Sequence, residues 1–154
     1  MMYQTRTRSR QGQAIVEMAM LLPFFLLVVV GGMIDFGFAF YNVVTLQQIA
    51  DDVAKELADA TPPGGTLPSA TQVEAMARAK NPSWWTDSNL TATTQAPVTI
   101  PGFPNDRGFR VVLTYDTPIY TPLWGGVFKR ISGKSYLPLA TQGTYRIPKH
   151  LNRH

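Results

Sequence analysis

Residues 18–34 carry no charge, and Leu, Val, Phe, Ile and Met make up most of that run. With Ala14, Ile15 and Val16 added, the apolar segment comes to roughly 20 residues. At about 1.5 Å rise per residue, this matches the ~30 Å hydrocarbon core of a bilayer. A membrane-spanning helix over residues 14–34 is therefore expected. In a chain of 154 residues it leaves room for one small domain beyond it.

The flanks assign a direction. Arg6, Arg8 and Arg10 precede the run, and basic residues within about 15–20 positions of a span tend to stay in the cytoplasm. They act as a topology signal: residues 1–12 form a basic cytoplasmic leader and the C-terminal part is exported. A basic stretch also opens an ordinary cleaved signal peptide, whose apolar region is about 7–15 residues long and ends in a small-x-small site. Gly37, Phe38 and Ala39 supply such a site, but the apolar run is longer and the helical pattern continues through the proposed cut. The net charge of +4 raises nucleic acid as a partner. Position argues against it, because the arginines crowd the leader while Arg146, Lys149 and Arg153 crowd the tail. With no cysteine, neither disulfides nor thiol chemistry is available.

Beyond Tyr41, apolar residues fall at Val43, Leu46, Ala50, Val53 and Leu57, with Asp51, Asp52, Lys55 and Glu56 between them. Steps of three and four place one apolar stripe on a helix that continues into water. Thr61, Pro62, Pro63, Gly64 and Gly65 end it. A helix over residues 13–60 would be on the order of 70 Å long, so its outer half must pack on something. Within the membrane half, Pro23 and the Gly31–Gly32 pair interrupt the pattern, giving either a locally bent span or a subunit-packing site.

Two carboxylates bracket the apolar run. Asp35 marks the exported boundary, where it can reach water. Glu17 lies one turn after Gln13, where a charge in lipid costs several kcal/mol unless it is paired or reaches the headgroups. The order Arg10, Gln11, Gly12, Gln13, Ala14, Ile15, Val16, Glu17, then Leu21, Leu22, Pro23 and Ile34, Asp35, Phe36, Gly37, resembles the N-terminal signature of TadE-like pseudopilins of the tight-adherence (Flp) pilus system. Met18 stands where an aromatic residue commonly follows the glutamate of that family. The resemblance implies cleavage between Gly12 and Gln13 by a prepilin peptidase, which would put Glu17 at the fifth mature position. It also implies a single-pass protein of the bacterial inner membrane, with other pilin and pseudopilin subunits and the pilus assembly machinery as partners. Glu17 would then pair with the new α-amino group, on its own chain or an adjacent subunit, which would lower the cost of both charges in lipid.

In the exported part, Thr71 and Glu74 are spaced as a capping box for a short helix reaching Lys80, and Asn81 and Pro82 stop it. Trp84 and Trp85 belong in the core or at a membrane interface, with the core favoured. Residues 86–95 read as loop and residues 98–100 as a short edge strand. Phe109, Val111, Leu113 and Tyr115 share one parity of a strand over residues 108–116. Leu137, Leu139, Tyr145 and Ile147 share one parity of a second, in which Pro138 points to an edge or a late start. Between them, Leu123, Trp124, Val127, Phe128 and Ile131 recur at helical spacing in an apolar connection. Leu123, Trp124 and Phe128 are candidates to meet lipid or a partner subunit, the alternative being a loop folded over its own sheet.

No nucleophile–base constellation, phosphate loop or metal-ligand spacing is present, and His150 and His154 stand in a basic tail without acidic or thiol partners. Neither catalysis nor a cofactor or metal is expected. The expected fold is α+β and pilin-like: a long N-terminal transmembrane helix extending into a small exported head, residues 61–147, with a short antiparallel sheet, followed by a tail at residues 148–154. The competing readings are an unprocessed single-pass protein whose head binds another envelope component, and a secreted module released after Ala39.

Overall fold

The computed structural model describes residues 5–60, 68–100 and 103–146. The Pro-Gly break after Ala60 and the tail with His150 and His154 lie outside these residues, as do the side chains of Arg6, Arg8 and Arg10. The elements, in order, are α1 (Thr5–Ala60), α2 (Ala70–Ala79), β1 (Leu90–Ile100), β2 (Phe103–Pro118), α3 (Pro122–Ser132) and β3 (Tyr136–Arg146). A long apolar N-terminal helix is thus followed by a small α+β head with an antiparallel sheet. The helical backbone of α1 starts at Thr5, inside the basic leader, and runs through Pro23.

Two compact units divide the chain, one of Met1–Gly37 with Ile119–Ser135, the other of Phe38–Pro118 with Tyr136–His154. The second holds the sheet, in the order β1-β2-β3, with both pairings antiparallel. Strand β2 is central, and its alternation is borne out: Phe109, Val111, Leu113 and Tyr115 are all buried. They meet Leu46, Ile49, Ala50, Val53, Ala54 and Leu57 of α1, together with Val73 and Ala77 of α2. The stripe and the sheet face each supply the apolar surface that the other lacks.

Gly143 on β3 shows how closely helix and sheet meet. A Cβ there would lie 2.8 Å from the Asp51 nitrogen and closer still to the Ala50 carbonyl. Gln47 then ties α1 to β3, its amide donating to the Gln142 carbonyl at 3.1 Å while its oxygen accepts from the Thr141 hydroxyl. Pro138 sits opposite Asp116 on β3, an edge of the described sheet, where proline is tolerated.

Several local expectations are corrected. Residues 86–95 are not all loop: β1 begins at Leu90, and the short strand expected at residues 98–100 is its far end. The Thr-rich run concealed the alternation, since among its described side chains only Leu90 and Ala92 are buried, while Thr91 bonds Thr114 across the outer face. The capping box is formed by Ser69 and Gln72 rather than Thr71 and Glu74, with the Ser69 N–H donating to Gln72 Oε1 at 2.9 Å and the Gln72 N–H to Ser69 Oγ at 3.3 Å. Starting two residues earlier frees Glu74 to pair with Arg78 one turn on, at 2.9 Å. Val43 is exposed, and the buried position one residue before it is held by a polar side chain, Asn42. The tryptophans separate: Trp85 is buried and stacks on Tyr115 with ring centroids 4.0 Å apart, whereas Trp84 is 55 % exposed beside Tyr41. Tyr145, although in phase with Leu139, is 38 % exposed near the end of β3.

Candidate functional site

The residues singled out in the sequence fall into two clusters within the first unit. The first is the N-terminal part of α1. Gly12, Gln13 and Glu17 are all exposed, and an added Cβ at Gly12 would meet nothing within 4 Å. The Gln13 side-chain amide donates to Glu17 Oε1 at 3.1 Å, the spacing of one helical turn. Glu17 therefore already faces the residue that cleavage would make the N-terminus. From there to Ile34 the helix exposes Ile15, Met18, Leu21, Leu22, Phe24, Phe25, Leu26 and Leu27. α1 is long and apolar enough to cross a membrane, and none of the most apolar stretch is buried by the chain itself.

The second cluster joins α1 to α3. Thr121 and Pro122 open α3 as N-cap and first residue, the preferred place for proline, but the Thr121 side chain does not cap the helix. Asp35 does so from outside. One oxygen accepts the Tyr120 N–H at 2.8 Å and the Thr121 N–H at 3.1 Å, and the other accepts the Thr121 hydroxyl. α3 has no acidic residue in its first turn, so Asp35 provides the negative charge that the positive end of the helix dipole favours. A carboxylate expected to mark the water boundary thus docks a second helix.

One turn further along α3, the Trp124 indole N–H donates to the Val28 carbonyl at 3.1 Å, and the ring lies edge-on to Phe36 at 6.3 Å. Gly31 and Gly32 form its seat, where a Cβ on Gly32 would press on the indole nitrogen at 3.2 Å. The glycine pair, expected to bend the span or to pack against another subunit, instead receives Trp124 of its own chain. Leu123 and Phe128 are half-buried, and Ile131 is 82 % exposed. Sequence reasoning missed Tyr120 and Thr121 as partners of Asp35. The signal available was a Thr-Pro helix start with no acid in its first turn and a lone acid elsewhere.

Among the described residues no group of three or more His, Cys, Asp or Glu side chains gathers as a metal site. The arrangement is one of anchoring and docking: a membrane-anchoring helix, a second helix latched to it, and a small α+β head. The family model described as TadE-like protein matches residues 12–55, from the proposed cleavage point through the apolar helix into the stripe that the sheet covers. The resemblance read from the N-terminal residues is thus found independently, and it points towards tight-adherence pilus assembly. No curated protein and no solved structure matches the chain.

Proposed function

We propose that this chain is a minor pseudopilin, a structural subunit that supports assembly of a tight-adherence pilus. The observation that carries the reading is the TadE-like match, which starts at Gly12 and includes Gln13, Glu17 and the whole apolar run. In this reading the chain enters the inner membrane with Arg6, Arg8 and Arg10 on the cytoplasmic side and its head exported. A prepilin peptidase cuts between Gly12 and Gln13, and the apolar helix stays in the product. Glu17 exchanges its bond to the Gln13 side chain for one to the new α-amino group, on its own or a neighbouring subunit. Two charges that are costly in lipid then neutralise each other, and the contact sets the axial register between subunits.

The N-terminal sequence and intact mass of the protein from native membranes, with and without the host's prepilin peptidase, test this directly. A peptidase-dependent start at Gln13 with the protein retained in the membrane is the expected result. A start at Met1 or Met2 in both hosts would replace the pseudopilin with an unprocessed membrane anchor whose head binds another envelope component. A soluble product starting at Phe40 would reduce the apolar run to a signal peptide.

A further inference from the structure

Beside the latch between α1 and α3 lies an apolar groove of about 640 Å³, walled by Leu27, Val30 and Ile34 of α1 and by Pro122 and Leu123 of α3. Leu123 also lines a second hollow, which continues along α3 past Val127 to Lys129 and Arg130. These two cations are exposed and have no ion-pair partner among the described residues, and α3 itself contains no acidic residue. We propose that this surface binds an anionic phospholipid, with an acyl chain in the groove and the headgroup phosphate on Lys129 and Arg130.

Two observations select this occupant. On the α1 wall of the groove, Leu27, Val30 and Ile34 are exposed apolar side chains of the helix that is long and apolar enough to span a bilayer, so the medium around that helix also fills the groove. The polar end of the surface carries only positive charge, the complement of a phosphate diester. Asp35, the nearby carboxylate on α1, is turned into the N-terminus of α3, at the opposite end from Lys129 and Arg130. α3 then acts as an interfacial helix whose depth is set by the Asp35 and Trp124 contacts. The inference rests on α1 lying in a bilayer and is independent of cleavage or pilus assembly.

The test uses the full chain reconstituted in phosphatidylcholine vesicles, supplemented with brominated-chain phosphatidylglycerol or brominated-chain phosphatidylcholine. Trp124 emission is read as the difference between the chain and its W124F variant. Phosphatidylglycerol is expected to quench it at a mole fraction on the order of tenfold lower than phosphatidylcholine, and the double variant K129Q/R130Q to abolish that preference while keeping the quenching itself. Equal quenching by the two lipids in the unaltered chain would overturn the headgroup site. No quenching by either, in a chain that resists alkaline extraction from the vesicles, would overturn the lipid as occupant, and a cross-linked dimer through L123C would then identify a second copy in its place. Release of the chain by alkali would remove the membrane reading and the site with it.

Discussion

Asn42 is a buried polar residue on the face of α1 that the sheet covers, and its surroundings explain why it is tolerated. Its side-chain oxygen accepts the Trp85 indole N–H at 2.9 Å, and its amide donates to the Thr117 hydroxyl at 3.4 Å. Both Asn42 and Thr117 are 2 % exposed, so a lost partner leaves a dry polar atom. Asn42→Leu is expected to destabilise the head by about 1–3 kcal/mol. Adding Trp85→Phe should cost less than the sum of the two single changes, since it removes the orphaned donor. Amide exchange of the β2 residues in detergent-solubilised protein measures both, and strict additivity would mean that the bond contributes nothing. Asp35 invites a parallel experiment. Asp35→Ala removes the acceptor for two backbone N–H groups at the start of α3, which should loosen that turn by about 1–2 kcal/mol, while Asp35→Asn, retaining a carbonyl oxygen, should do less. Faster exchange confined to the amides of residues 120, 121, 123 and 124 is the expected signature.

Among the elements, α1 illustrates how one helix serves two environments. Up to Leu27 it exposes large apolar side chains in every direction, as a segment surrounded by lipid does, whereas beyond Phe38 the buried residues follow one stripe. The change of pattern was legible because lipid and a one-sided core require different periodicities. The Thr-rich first part of β1 was not legible, since it takes its strand conformation from pairing with β2, and that partner is distant in sequence. The approach of α1 to β3 depends on Gly143, and Gly143→Val should displace one element from the other. A loss of at least about 1–3 kcal/mol in urea unfolding of the micelle-bound protein is expected, and an unchanged midpoint would show that the contact gives way without strain.

For the whole molecule, the proposed assembly role predicts that Glu17→Ala leaves membrane insertion intact but lowers pilus formation several-fold in cells. Wild-type piliation by that variant would remove Glu17 from the assembly contact. The anchoring helix, the α+β class, the inward parity of β2 and the TadE-like N-terminus are all local properties of the chain. Each is written in consecutive residues as a run of apolar side chains, a period of two or of about 3.6, or an ordered motif, so each can be read without knowing what lies nearby. The partners of Asp35, the seat of Trp124 on Gly31 and Gly32, and the bridge from Asn42 to Trp85 and Thr117 are of another kind. Each joins residues 43 to 93 positions apart, through hydrogen bonds or a missing methyl group that leave no periodic trace. Only the packing of distant elements brings such groups within bonding distance, and so only the folded chain reveals them.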